Sequence, residues 1–315
     1  MNNISEKLFE KLKNACDRCT ADTISLSGGL DSTILAYYLQ KRKPKAISII
    51  AKDFEANDLV YCQMASQEFD LPLTIFNVET EQILEAVEGT IKTLKNFNDI
   101  EIRNNLVMYL AIKWAKENHS TGIITGDGAD ELFAGYNFLL SKSKQELEEE
   151  IQRIYSIMHF PTQKIGKYLG LKVESPFLDE DFVEFALSIP GNLKVDVKEG
   201  KRYGKWILRK TFEGKIPEKI LWREKSPMQD GAGTNKLEDL FEKIISDSKF
   251  DENRQAIQEK HGITIRTKES MYYFDIFQKL HGVHQTIDDK SKSCPYCHFN
   301  TENSKFCRMC GAFPI

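Results

Sequence analysis

Two short stretches of the chain concentrate residues suited to chemistry. The first is Ser27-Gly28-Gly29-Leu30-Asp31-Ser32, followed by Thr33. Its two glycines let backbone N–H groups approach an anion with no Cβ in the way. The hydroxyls of Ser27, Ser32 and Thr33 can donate to phosphate oxygens. Asp31 is out of place beside phosphates unless a Mg²⁺ ion sits between them. The spacing matches neither the Walker nor the dinucleotide pattern, and an ordinary glycine turn with a Ser/Asp cap would use the same residue types. The second stretch is Cys294-Pro295-Tyr296-Cys297 and Cys307-Arg308-Met309-Cys310, with nine residues between the pairs. Two Cys-x-x-Cys knuckles supply four thiolates for tetrahedral Zn²⁺. No ligand position stays open, so the metal is structural and its binding energy is the folding energy of the tail.

The surrounding pattern must position these residues. Thr23 to Leu26 reads as a short buried strand that stops at the glycine loop, and Asp31 to Gln40 as a helix leaving it. The helix N-terminus adds unpaired N–H donors and partial positive charge. Strands come next at Ala46–Ala51, Leu73–Val78 and Gly122–Thr125, with helices between them at Asp58–Phe69, Glu81–Leu94 and Arg103–Lys116. This alternation predicts an α/β fold, a parallel sheet flanked by helices, with ligands beyond the strand C-termini. Ser27-Gly28-Gly29 and Gly126-Asp127-Gly128 both fall there. The second half is mostly helical. Residues 1–283 are read as one domain, 284–293 as a linker and 294–315 as a zinc ribbon.

Composition limits the alternatives. In 315 residues, 43 Lys+Arg face 47 Asp+Glu, a net charge of −4 that offers no global basic field for nucleic acid. No apolar run approaches the roughly 18 residues of a membrane span, and the charged amphipathic start lacks a signal-peptide core. A soluble cytoplasmic protein without membrane contact is expected. In that reducing compartment the paired cysteine spacing favours a metal over disulfides.

The glycine loop resembles the pyrophosphate loop Ser-Gly-Gly-x-Asp-Ser of ATP pyrophosphatases, which have an adenine-nucleotide-hydrolase-like fold and split ATP to AMP and pyrophosphate. Further motifs narrow the likeness. Gly126-Asp127-Gly128-Ala129-Asp130-Glu131-Leu132-Phe133-Ala134-Gly135-Tyr136 is similar to the asparagine synthetase motif Gly-Glu-Gly-x-Asp-Glu-x-Phe-Gly-Gly-Tyr. Ser175-Pro176-Phe177-Leu178-Asp179 resembles Val-Pro-Phe-Leu-Asp. Lys205 to Arg209 resembles Lys-x-Ile-Leu-Arg, and Trp222-Arg223-Glu224-Lys225 resembles Trp-Arg-Gln-Lys. Asp99, Arg103 and Met108 to Leu110 fit another stretch. These matches run in family order from Leu8 to Gly233. The resemblance is to the synthetase domain of asparagine synthetase.

That resemblance implies an ATP-dependent ligase of aspartate or a related small carboxylate. It places Ser27, Gly28, Gly29, Asp31 and Ser32 on the β- and γ-phosphates, and Leu26, Ala51, Thr125 and Gly126 against the adenosine. Asp31 and Asp130 would hold Mg²⁺. Lys225 would neutralise charge on the α-phosphate and acyl carbonyl, and Asp127 would take a proton from attacking ammonia. The glycine loop lies near the start of the chain, so the expectation is that no glutaminase precedes it and that nitrogen comes from free ammonium or a separate subunit.

Three departures concern the acyl side. Asp127 is one methylene shorter than the family glutamate. The family's Glu-x-Arg is exchanged to Lys172 and Glu174, and its Asp-Arg is Gln163-Lys164. On an extended segment Lys172 and Glu174 face the same side, so the ion pair can survive the exchange. These changes are expected to border the acyl pocket.

Cys16 and Cys19 read as structural, Trp222 within its motif as core packing, and His281 and His284 as surface residues. Tyr296, Phe299, Phe306 and Phe313 suit either the ribbon core or base stacking. Two other functions stay open: a tRNA-modifying enzyme that adenylates a base oxygen or carboxylate, with the ribbon on RNA, and a nucleotide-binding regulator that docks a protein through its tail.

Overall fold

The computed structural model describes residues 2–51, 58–224, 232, 236–286, 292–302 and 304–315. The chain forms two compact units. Among the described residues, the first gathers 2–50, 58–77 and 111–224, and the second gathers 51, 78–110, 232 and those from 236 onward. The second is assembled from separate stretches of chain, which local periodicity does not reveal, and the cysteine tail belongs to it.

The first unit is built on a five-stranded parallel sheet of order β3-β2-β1-β4-β5. Its strands are β1 (Thr23–Ser25), β2 (Lys45–Ala51), β3 (Leu73–Val78), β4 (Gly122–Ile124) and β5 (Lys172–Glu174). Every residue of β2 after Lys45 is buried, the pattern of a strand covered on both faces. Leu26 extends the ladder past β1 by donating its N–H to the Ile47 carbonyl at 2.9 Å. The helices α1 (Asn2–Arg18), α2 (Leu30–Leu39) and α3 (Leu59–Glu68) join this sheet through one hydrophobic core. In α1, Leu8, Leu12, Ala15 and Cys16 are buried on one face, as helical spacing requires.

Later elements of the unit are α6 (Ala129–Leu132), α7 (Lys144–Ile157), α8 (Pro161–Leu169), α9 (Glu180–Ser188), the β6–β7 hairpin (Asp196–Lys198 and Lys201–Tyr203), α10 (Trp206–Thr211) and α11 (Glu218–Leu221). The strand β5 was not among the predicted strands. It has three residues with one apolar side chain, and its pairing with β4 (Ile123 beside Val173) makes it a strand.

The second unit is helical. It holds α4 (Thr80–Leu94), residues 99–110 of α5 (Asp99–Glu117), and the helices Leu237–Ile244, Asp247–His261 and Lys268–His281. Phe97 packs edge-on against Phe274 with ring centres 5.1 Å apart, and Phe241 against Tyr273 at 5.7 Å. No helix among the described residues is long and apolar enough to cross a membrane.

Candidate functional site

The glycine loop leaves β1 and enters α2 at the C-terminal edge of the sheet. Gly28 has φ +71°, and a Cβ there would lie 2.2 Å from the backbone of Tyr61 in α3. Glycine is therefore demanded by the turn and by the close approach of a helix, besides any need of a ligand. Gly29 caps α2 in an extended conformation without a side-chain hydrogen bond to the first turn. Ser27 Oγ lies 3.2 Å from Ser32 Oγ and accepts from the Gly29 N–H at 3.2 Å. The loop thus presents two hydroxyls beside the N–H groups of a ten-residue helix, an arrangement suited to an anion.

Gly126 follows β4, and a Cβ at Gly126 would lie 3.1 Å from Asp31 Cβ. The two strand ends therefore bring Asp31 and Asp130 together. Lys205 joins them: its Nζ is 2.6 Å from Asp31 Oδ2 and 2.6 Å from Asp130 Oδ1. The lysine side chain is 4% exposed. It caps α10 with φ +55°, donates its N–H to the Phe133 carbonyl, and passes over Gly135, where any side chain would strike Asp130 and Lys205. Arg209, one turn on in α10, is buried and donates to the carbonyls of Gly204, Leu221 and Arg223. Burial lowers its pKa, and Asp31 and Asp130 are among the charges that oppose this.

Lys205 and Arg209 lie in a matched motif, yet sequence reasoning gave them no part in the site. The signal was a lysine and an arginine on a short, otherwise buried helix, where unpaired cations are disfavoured.

Asp127 is held beside this group. Its Oδ2 accepts from Thr125 Oγ1 at 2.9 Å and from Thr162 Oγ1 at 2.5 Å. Burial raises its pKa, and the two hydroxyls pull it back down. Thr125 Oγ1 also meets Ser175 Oγ at 2.9 Å, and Ser175 is reached by Gln163 Nε2 at 3.5 Å. Thr162 was not foreseen, because it comes from α8, which the hydrophobic pattern did not mark. Leu26 and Thr125 are buried near the ends of β1 and β4, and Ala51 ends β2. Lys225 lies outside the described residues. Trp222 packs edge-on against Tyr203 and tilted against Trp206, as core packing predicts.

The exchanged pair keeps its ion pair, as the extended spacing allows. Lys172 Nζ and Glu174 Oε1 are 2.5 Å apart on one face of β5. Glu174 Oε2 accepts the N–H groups of Thr20 at 2.8 Å and Ala21 at 2.7 Å, in the turn before β1. The pair therefore ties β5 to the turn before β1, at the end of β1 opposite the glycine loop. Cys16 and Cys19 are buried free thiols, and burial raises both pKa values, that of Cys19 to about 11. Such thiols are inert, in keeping with a structural role.

In the second unit the Sγ atoms of Cys294, Cys297, Cys307 and Cys310 all lie within 4.8 Å of one another and are buried. Cys294 and Cys310 are 3.7 Å apart, Cys297 and Cys307 3.6 Å. A tetrahedron with metal–sulfur bonds of about 2.3 Å has sulfur–sulfur edges of about 3.8 Å. The four thiols thus fit a metal such as zinc. His284, expected at the surface, is partly buried: its Nε2 lies 2.7 Å from the Cys297 carbonyl and its ring packs near Phe97 and Phe299. Phe97, Phe277 and Phe299, from three separate segments, supply the aromatic surroundings that hold it.

Comparison with known proteins places the chain in a family. The family model described as asparagine synthase matches residues 8–158 and 141–293. The chain is 32% identical over 279 residues to asparagine synthetase (glutamine-hydrolyzing) of Gallus gallus, covering 81% of this chain and 48% of that protein. It is 29% identical to the human enzyme of the same name, with the same coverage. The chain therefore spans about half the length of these relatives. The solved NMN synthetase of Francisella tularensis aligns over 91% of this chain and 98% of that one, at 14% identity and a TM-score of 0.38. From the match of its family model over most of the sequence, the chain belongs to the asparagine synthase family.

Proposed function

We propose that the protein is an ATP-dependent amide-forming ligase that adenylates the carboxylate of aspartate, or of a close relative, and transfers ammonia to it. The observation that carries this reading is the meeting of Asp31, Asp130 and Lys205 beside the glycine loop. In the first step a substrate carboxylate oxygen attacks the α-phosphorus and the α–β phosphoanhydride bond breaks, releasing pyrophosphate. In the second, ammonia attacks the acyl carbon, AMP leaves, and a proton is lost from nitrogen.

The loop N–H groups with Ser27 and Ser32 bind and orient the β- and γ-phosphates. Leu26, Ala51, Thr125 and Gly126 receive the adenosine. Lys205 and Arg209 set the charge of the pocket floor, and Lys225 neutralises the α-phosphate. Asp127 takes the proton from nitrogen, and the hydroxyls of Thr125 and Thr162 fix where its carboxylate points. Asp31 Oδ1 is buried without a hydrogen-bond partner, and hard carboxylate oxygens of this kind suit Mg²⁺. Asp31 and Asp130 would hold that ion, which supplies charge neutralisation on the phosphates. Nitrogen comes from free ammonium or from a separate subunit, and zinc is the metal of the four cysteines.

The test is AMP release from purified protein with ATP and Mg²⁺, with and without aspartate and ammonium. AMP that depends on aspartate, with asparagine appearing on addition of ammonium, is the expected result. AMP that is independent of aspartate but stimulated by tRNA would replace this substrate class with a nucleic-acid acceptor.

A further inference from the structure

The cysteine tail reads in the sequence as an appended module available to a partner. Its contacts within the second unit give it an internal task. The second knuckle seats on the start of α5. Phe97 donates its N–H to the Met309 carbonyl at 3.0 Å, and Asn98 Nδ2 donates to the Arg308 carbonyl at 3.4 Å. Gly311, with φ +75°, lies so close that a Cβ would be 2.6 Å from Asp99 Oδ1 and 2.7 Å from Asn98 Oδ1. The first knuckle seats on the segment before the last helix. Thr264 donates its N–H to the Tyr296 carbonyl at 2.7 Å, and His298 Nε2 lies 3.1 Å from the Gly262 carbonyl.

Two side chains from outside the tail reach the ligand cysteines themselves. Arg266 Nη2 donates to the Cys310 carbonyl at 2.8 Å, lies over the Tyr296 ring, and is 3.9 Å from Asp99 Oδ1. His284 Nε2 lies 2.7 Å from the Cys297 carbonyl. Four thiolates on a divalent ion carry a net charge of −2, and a guanidinium bonded to the backbone of one ligand is placed as outer-shell partners are. The segment held in this way is the one that carries Asp99 and Arg103. Asn98 Oδ1 accepts the Glu101 N–H at 3.2 Å, Asp99 Oδ1 accepts the Ile100 N–H at 2.9 Å, and Arg103 reaches Glu269 and Glu238.

We infer that the metal centre at Cys294, Cys297, Cys307 and Cys310 is an intramolecular clamp that holds residues 96–103 against the tail, with Arg266 and His284 as its outer-shell positioning residues. The inference rests on zinc as the metal of the four cysteines and is independent of the ligase reaction. Metal binding folds both knuckles, and the knuckle carbonyls then become fixed acceptors for Phe97, Asn98 and Arg266. Without the metal those acceptors are no longer held in place, and the start of α5 loses its partners in the tail.

The test uses the full-length chain under reducing conditions. Zinc content is measured by mass spectrometry before and after chelation, and hydrogen exchange is followed peptide by peptide. Removal of zinc is expected to speed exchange across 96–103 by roughly tenfold or more while peptides of the parallel sheet keep their protection. Arg266→Met serves as the second arm, should the stripped protein unfold as a whole. It is expected to retain one zinc per chain and still to exchange faster at 96–103. A chain that binds no zinc would overturn the metal reading and the clamp with it. A chain that binds zinc, with exchange at 96–103 unchanged by both chelation and Arg266→Met, would overturn the clamp alone.

Discussion

Lys205 concentrates the residue-scale physics of the site. Two carboxylates and one ammonium are withdrawn from water together, and the arrangement is tolerable because each charge has a partner at hydrogen-bond distance. Lys205→Met leaves Asp31 and Asp130 facing each other without it. Removing one member of a buried ion pair costs about 3 to 5 kcal/mol, so urea denaturation should show a loss of at least the lower figure. AMP formation should fall by more than 10²-fold, whereas Lys205→Arg should recover part of the stability. A variant as stable as the parent would mean that the lysine is not the tie between the two strand ends. Asp127 is the other informative residue. Its short side chain is met by Thr162 from α8, so a residue change that looks disruptive in sequence is accompanied by a dedicated hydrogen bond.

At the scale of elements, β5 shows how two exchanged charges can still pair. Lys172 and Glu174 are two residues apart on a strand and therefore share a face. Glu174 adds two backbone N–H groups to its ion pair and so secures the turn before β1. These bonds, with the pull of Lys172, hold its carboxyl pKa below the usual range against the burial that raises it. Glu174→Ala is expected to cost about 1 to 3 kcal/mol, since two donors lose a charged acceptor. It should leave the KM for ATP unchanged, because the side chain points to the edge of the sheet remote from the glycine loop. A change in KM without loss of stability would place Glu174 in the site instead. α10 shows the complementary case. Six residues long, it owes its place to the buried Trp206, Ile207 and Leu208, and that packing delivers Lys205 and Arg209 to the site.

At the scale of the whole molecule, stability should depend on a carboxyl far along the chain from the motifs. Glu269 is 2% exposed, and burial pushes its pKa up from 4.5 to about 7, against the pull of Arg103 and the Tyr273 hydroxyl, which donates to it at 2.7 Å. A carboxyl whose pKa is raised on folding binds its proton more tightly in the folded state. Stability therefore falls as pH rises from about 4.5 to about 7 and levels off above. The contribution is up to about 3 kcal/mol. Glu269→Gln should flatten this slope in denaturation curves taken between pH 4.5 and 7.5. An unaltered slope would assign the pH dependence to other groups. The same helix, Lys268–His281, borders the segment held by the cysteine tail, through Ser270 Oγ and Asp99 Oδ2 at 3.5 Å.

Much of this was legible from residue order. The strands ending at Ser27 and Gly126, the helix leaving the glycine loop and the four-thiolate tail are local patterns. Each depends on periodicity or on spacing within a few residues, and the motifs of the family ran in order along the chain. Tertiary structure alone decided which distant groups meet. Lys205 reaches Asp31 across 174 positions and Thr162 reaches Asp127 across 35. Arg266 reaches the Cys310 carbonyl across 44. No local period encodes such pairings. They arise when separate apolar faces are buried together, and the buried charges that result must then find partners in whatever segment the packing has brought within reach.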